Sequence, residues 1–411
     1  MGANSKAIAW YIDKLTVRGF KSLRDCDLDL SVVNVFIGPN GCGKTNLLEA
    51  LGVLGAAASG RVDDSRLREH GVRLGTPRLY KSSFDGERML PSIYLRAGCS
   101  APPSPSYTAD LNNPLGDPRP AWLYKTEIWE NTSPRAKFSD RRPRVSSTTG
   151  LSKDAGLAAL SMVSEGQNEP HVRFLARLRD YVIYSPATDV LRGVSADPQP
   201  STPVGLSGGR LAEAVSRVRQ LAAQTDHARH VAREARQLIE WAASYRSQLR
   251  FAKTGSRAVP RVGRALVFED RYMRRDHRSI SAYDASEGAL YVLLMAVLAA
   301  HPDVPPTFAV DNFDTALNPR LVERLTRKFC EWILVGPYQR QVLLTTHNPL
   351  ALDGLDLSDD RIRLFVVERS RKGKTIVERL NFGDVVDKWR AKGMPLSRLW
   401  VTGELGGLPS V

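Results

Sequence analysis

Eight consecutive residues carry the plainest chemistry: Gly38-Pro39-Asn40-Gly41-Cys42-Gly43-Lys44-Thr45. They follow the pattern G-x-x-x-x-G-K-T, in which glycines let backbone amides curl around phosphate oxygens. Lys44 then reaches the β- and γ-phosphates of a nucleoside triphosphate, and the Thr45 hydroxyl joins the coordination of Mg²⁺. A second carboxylate-bearing site is Asp311, which ends the apolar run Phe308-Ala309-Val310 and suits an aspartate that orients Mg²⁺-bound water. Asn312 follows it. An amide there can orient a water molecule but cannot accept its proton. The segment Thr345-Thr346-His347-Asn348-Pro349 closes another apolar run, which puts His347 in reach of a γ-phosphate and the attacking water. Asp314 is a further carboxylate close by.

Two segments compete to present a serine hydroxyl and glycine amides to a phosphate from a helix N-terminus. Leu206-Ser207-Gly208-Gly209-Arg210 has the composition, but no helix leads from it into the Asp311 strand. Ser286-Glu287-Gly288 opens an apolar helix that does, so Ser286 and Gly288 are the expected residues. Ser207 to Arg210 then reads as a glycine turn.

These residues need a sheet to hold them. Ile12 to Phe20 reads as a half-exposed strand, and Val32 to Ile37 as a buried one that runs directly into the glycine loop. The spacing of Leu47, Leu48, Ala50, Leu51 and Leu54 predicts a helix after the loop. Further on, the pattern predicts a helix from Ser286 to Ala300, a strand Thr307 to Val310, a helix Pro319 to Val335 and a strand Val342 to Thr346. Residues 101–160 are rich in Pro and Ser and read as a surface insertion. Leu211 to Leu249 has helical spacing broken near Thr225, the mark of a helical pair. The expected domains are 1–100, the first part of an ATPase head; 101–160, the insertion; 161–278, a basic helical lobe; and 279–411, the second part of the head.

Lys and Arg number 58 against 44 Asp and Glu, a formal net charge of +14. Residues 208–278 carry +9 of that excess. Clustered cations invite phosphate contact, so Arg229, Arg233, Arg236, Arg274 and Arg275 are candidates for binding DNA or RNA. Arg229, Arg233 and Arg236 fall on one helix face. The chain shows no apolar run of membrane-spanning length and no signal-peptide pattern, and its four cysteines lack metal-type or paired spacing. A cytoplasmic location without membrane contact is the expectation.

The segment Lys14 to Leu23, the glycine loop with Asn46, Ser286-Glu287-Gly288, Asp311 to Pro319 and Thr345 to Pro349, in that order, resemble the AAA family ATPases of the SMC, RecF and OLD type. The resemblance implies a P-loop NTPase with an ABC-like head: a central, mostly parallel sheet, an antiparallel lobe and a helical insertion. It implies ATP and Mg²⁺ as cofactors, ATP held between two heads of a dimer or higher oligomer, and Arg18, Asn40 and Asn46 near the nucleotide. Asn312 departs from the family's usual glutamate, which implies slow hydrolysis. The stretch after His347 is too short for the Toprim nuclease that ends OLD proteins. The chain is similar to stand-alone phage-defence ATPases that work with a separately encoded effector, often a nuclease. The alternatives are a RecF-like repair or recombination ATPase, and an ATP-gated scaffold with little or no hydrolysis.

Overall fold

The apolar run before the glycine loop becomes an interior strand of a parallel sheet. A computed structural model describes residues 10–130, 152–159, 169–249, 264–380, 383 and 393–405. In chain order its strands are β1 (Lys14–Phe20), β2 (Leu23–Asp29), β3 (Val33–Ile37), β4 (Ile93–Gly98), β5 (Ser106–Asn112), β6 (Leu123–Glu130), β7 (Val182–Tyr184), β8 (Ala242–Leu249), β9 (Arg264–Asp270), β10 (Ser279–Ser281), β11 (Thr307–Val310), β12 (Gln341–Thr346), β13 (Ile362–Arg369) and β14 (Thr375–Arg379). The chain folds as two units. One comprises residues 1–32, 46–181 and 369–377; the other comprises 33–45, 182–368 and 378–411.

The second unit is built on a sheet in which β13, β3, β12, β11 and β7 lie side by side in that order. β3 runs parallel to β13 and β12, and β11 runs parallel to β12 and β7. Every residue of β3, β11 and β12 is buried, as expected of strands covered on both faces. The Glu287–Ala300 helix is apolar all round, and it is buried from Ala289 to Ala300. Its last carbonyls, those of Leu298, Ala299 and His301, accept hydrogen bonds from the buried Arg340 guanidinium, at 2.8 Å and 2.5 Å for the first two. A cation there also complements the negative end of the helix dipole. Arg340 stacks on Tyr338 at 4.4 Å, and burial lowers its pKa to about 10. A second, antiparallel sheet, β10-β9-β8, lies beside two amphipathic helices, Leu211–Ala222 and Asp226–Leu238.

The first unit carries an antiparallel sheet of order β2-β1-β4-β5-β6. Two expectations need correction. Residues 101–160 are not a surface insertion throughout: β5 and β6 pair with β4 and with each other, burying Tyr107, Ala109, Leu111, Tyr124 and Trp129. Alternation of apolar side chains outweighs the Pro- and Ser-rich background around it. The polar stretch from Thr132 to Thr149 lies outside the described residues. The helical pair does break at Thr225, whose side chain accepts from the Ala228 amide as an N-cap. It does not reach Leu249, however. The second helix ends at Leu238, and residues 242–249 form β8 because β9 offers them an antiparallel ladder, interrupted by an irregularity between Ala242 and Ser244. Among the described residues no helix is long and apolar enough to cross a membrane, and all four cysteines are buried and none forms a disulfide.

Arg340 ties the helix that begins at the Ser286 segment to the loop before β12. Arg340→Met leaves buried carbonyls unsatisfied, so it should lower unfolding free energy by about 3 kcal/mol. Urea unfolding measures this; an unchanged midpoint would show that the guanidinium contributes nothing net.

Candidate nucleotide-binding site

β3 delivers the glycine loop, and the helix Lys44–Ala58 begins within it. Gly38 has no room for a side chain: a Cβ would lie 2.0 Å from the Val367 carbonyl oxygen. Gly41 and Gly43 have φ of +77° and +108°, the left-handed values a phosphate-cradling loop requires. Lys44 is buried, and its Nζ donates to the carbonyls of Gly38 at 2.7 Å and Pro39 at 2.9 Å. Asn40 is exposed on the loop crest.

The Thr45 hydroxyl donates to Asp311 at 2.9 Å, and the Thr345 hydroxyl donates to the same carboxylate at 2.5 Å. A hydroxyl and a carboxylate this close can take neighbouring positions around one Mg²⁺, with phosphate oxygens and water completing the octahedron. Among the described residues no group of three or more His, Cys, Asp or Glu could hold a metal. Hydroxyl and carboxylate oxygens are hard donors, which suit a hard cation brought in with phosphates.

After Val310 the strand stops. Asn312 adopts φ +51°, and its amide donates to the Thr345 hydroxyl at 2.8 Å. The turn carries Asp314 inward, where it is 3% exposed. Its Oδ2 lies 3.9 Å from His347 Nδ1, while Oδ1 is buried with no hydrogen-bond partner. Burial raises the Asp314 pKa, opposed by the positive charge of His347 and of Lys44. The closeness of Asp314 and His347 could not be read from the sequence, because it depends on where the β11 turn points.

Ser286 is the N-cap residue of its helix, and its hydroxyl accepts from Trp241 Nε1 at 3.3 Å. Gly288 faces Leu321, whose Cδ2 would be 3.2 Å from a Cβ. The rival segment is a turn around Asp197, whose carboxylate accepts from the amides of Ser207 at 3.2 Å and Gly209 at 2.9 Å. Arg229, Arg233 and Arg236 are exposed on their helix, engaged with Asp226, His230 and the Ala243 carbonyl respectively. Arg274 and Arg275 stand in the exposed turn 271–278 beside Tyr272, which is 78% exposed, and have no side-chain partner among the described residues.

Arg18 and Asn46 belong to the first unit. Arg18 is clasped by Asp25 at 2.7 Å and Asp27 at 2.5 Å on β2. Asn46 donates to the Ser22 hydroxyl at 2.7 Å and accepts from Arg73 at 3.3 Å. It lines a cavity of about 470 Å³ with Lys21, Arg73, Arg78, Lys81 and Arg369. Beside that cavity Glu49, fully buried, binds Lys21 and Arg73. The sequence hid this cation cluster because its members are scattered from Lys21 to Arg369.

Comparison with known proteins follows the same lines. The family described as "AAA domain, putative AbiEii toxin, Type IV TA system" matches residues 223–353, and an AAA ATPase domain family matches residues 11–67. The DNA replication and repair protein RecF of Renibacterium salmoninarum is 53% identical over 53 residues, 13% of this chain and 13% of that protein. RecF of Beutenbergia cavernae is 38% identical over 85 residues, 20% of each. The matched stretches thus span a fifth or less of these relatives. The Smc head domain of Pyrococcus furiosus, solved with an extended coiled coil and the C-terminal domain of ScpA, superposes with a TM-score of 0.54 at 12% identity. That match covers 93% of this chain and 100% of the head domain. An SmcHead bound to the C-winged helix domain of ScpA gives 0.54 at 15% identity, over 92% and 99%. At such identities the likeness is one of fold. Two AAA family models thus match separate parts of the chain, the RecF relatives match short stretches of it, and SMC head domains share its fold.

Burial alone would raise the Glu49 pKa, but Arg73 and Lys21 outweigh it and hold the carboxyl below its ordinary 4.5. A lowered folded pKa stabilises above the unfolded pKa, and that stability is lost as pH falls through the folded value. Glu49→Gln should therefore cost about 3 kcal/mol at neutral pH, with the gap to the parent narrowing below roughly pH 4.5. Thermal unfolding across pH checks it; a pH-independent gap would contradict the ionised pair.

Proposed function

We propose that this chain binds ATP with Mg²⁺, dimerises around it and hydrolyses it slowly, using the bound state as a timer. The observation that carries this is the convergence of Thr45, Asp311 and Thr345 beside a glycine loop in which Gly38 has no room for a side chain and Gly41 and Gly43 take positive φ. Lys44 would exchange the carbonyls of Gly38 and Pro39 for β- and γ-phosphate oxygens. Mg²⁺ would be held by Thr45 and Asp311, neutralising charge on the phosphates. Arg18, Asn40 and Asn46 are proposed near the nucleotide, and Ser286 with Gly288 would face the γ-phosphate of a second copy. Asn312 would orient water without taking its proton, which is the reason for slow turnover; an ATP-gated scaffold with little hydrolysis is the limiting case. The Lys44→Ala variant should bind ATP on the order of 100-fold more weakly. Calorimetry decides, and equal affinities would refute the loop's role. Ser286→Arg should abolish ATP-dependent dimerisation in light scattering; identical assembly would remove Ser286 from the interface.

Nucleic-acid contact is supported by the exposed Arg274 and Arg275, which have no side-chain partner among the described residues, beside the exposed Tyr272. Affinity should fall steeply with salt, and replacing both arginines by Ala should flatten the logarithmic slope by about two. A flat response in the parent would instead indicate an acidic protein partner. A defence role with a separately encoded effector, such as a nuclease, is the setting we favour. The toxin–antitoxin description of the family that matches residues 223–353 supports it. Repair or recombination of DNA is the alternative, supported by the RecF relatives.

A further inference from the structure

Asn312 leaves the proposed hydrolysis without an acceptor for the water's proton, yet a carboxylate and an imidazole lie side by side within the same unit. Asp314 is buried on the turn after β11, and His347 follows β12, with Nδ1 and Oδ2 3.9 Å apart. The His347 side chain is 45% exposed, so part of the ring is open to solvent while Nδ1 lies near the carboxylate. Asp314 Oδ1 is a buried oxygen with no hydrogen bond, an arrangement that costs stability unless something uses it. The charged and titratable groups that bear on Asp314 are His347 and Lys44, and Tyr291 feels its charge in turn. No second carboxylate offers His347 an ion-pair contact among the described residues.

We propose that Asp314 is a positioning residue: it holds His347 by Nδ1 and compensates the charge when the imidazole takes the proton that Asn312 cannot. This rests on the ATPase reading above. In the step, a water oxygen forms a bond to the γ-phosphorus, and the bond from that phosphorus to the bridging oxygen breaks. The electron pair of the broken bond leaves on ADP. The water's proton goes to His347 Nε2, and the exposed ring later passes it to solvent. The separation of 3.9 Å is longer than a hydrogen bond, and rotation of the half-exposed ring closes it; such contacts are commonly long before substrate binds. The pair is the familiar division of labour between a base and the carboxylate that orients it, built here from two strand ends rather than from one motif.

The test uses the full chain with ATP and Mg²⁺, measuring kcat and KM for the parent, Asp314→Asn, His347→Ala, both together, and each in an Asn312→Glu background. Asp314→Asn keeps the shape of the side chain, and nucleotide affinity, measured alongside, reports whether the site is still formed. Expected is a fall in kcat on the order of 100-fold for either single variant with KM unchanged. The double variant should be no slower than the worse single one, because both act on one proton. In the Asn312→Glu background, where glutamate supplies another acceptor, Asp314→Asn should cost less than about 3-fold. A purely structural Asp314 would cost the same in both backgrounds, and that result overturns the proposal. So does a parent-like kcat for Asp314→Asn. A parent that binds ATP but gains no turnover even with Asn312→Glu overturns both this step and the hydrolysis reading. Loss of ATP binding in the parent would overturn the nucleotide reading itself.

Discussion

The Asp311 carboxylate is held between two threonine hydroxyls, one from the helix after β3 and one from the end of β12. That contact exists only if three strands end level. Parallel pairing sets Thr346 opposite Ile37 and Leu344 opposite Val310, so the loops after β3, β11 and β12 emerge on one edge of the sheet. A slip of one residue in either pairing would turn a hydroxyl to the other face of the sheet and separate the three groups. Ligands of open α/β sheets sit at such carboxyl edges because the loops there are free to carry chemistry while the strands stay rigid. The buried helix Glu287–Ala300 and its Arg340 clamp belong to the same scheme, since they fix where the Ser286 segment begins. What stabilises the sheet is thus also what aligns the site.

That edge was largely legible in the sequence, for a physical reason. Buried parallel strands are near-continuous apolar runs, and here they gave way to a flexible glycine at Gly38, a charge at Asp311 and the polar stretch that ends in His347. The strand Thr307–Val310 and the helix Pro319–Val335 fall where the pattern put them, the latter because Asn318 caps it and proline opens it. The antiparallel strands were harder to read. β5 buries polar Ser106 and Thr108 beside its apolar residues, and β6 alternates buried with part-exposed polar residues, so both merge with the surrounding Pro- and Ser-rich chain. β8 lacks β-branched residues altogether and becomes a strand through its partner β9. Local pattern could not report a contact made across the sequence, and the cation-lined cavity from Lys21 to Arg369 was invisible for the same reason.

Asn312 joins local backbone geometry to chemistry. The β11 strand ends abruptly, and the chain turns back through a left-handed residue at φ +51°. Asparagine tolerates that region better than most side chains do, because its short amide can bond locally. A glutamate at this backbone angle would carry strain of about 1 kcal/mol. The same turn sends Asp314 into the interior and lets the Asn312 amide reach Thr345, which in turn holds Asp311. One left-handed residue therefore sets two things together: the neutral group beside the Asp311 carboxylate and the buried carboxylate beside His347. The residue proposed to orient water without taking its proton is also the residue whose conformation sets a carboxylate near an imidazole.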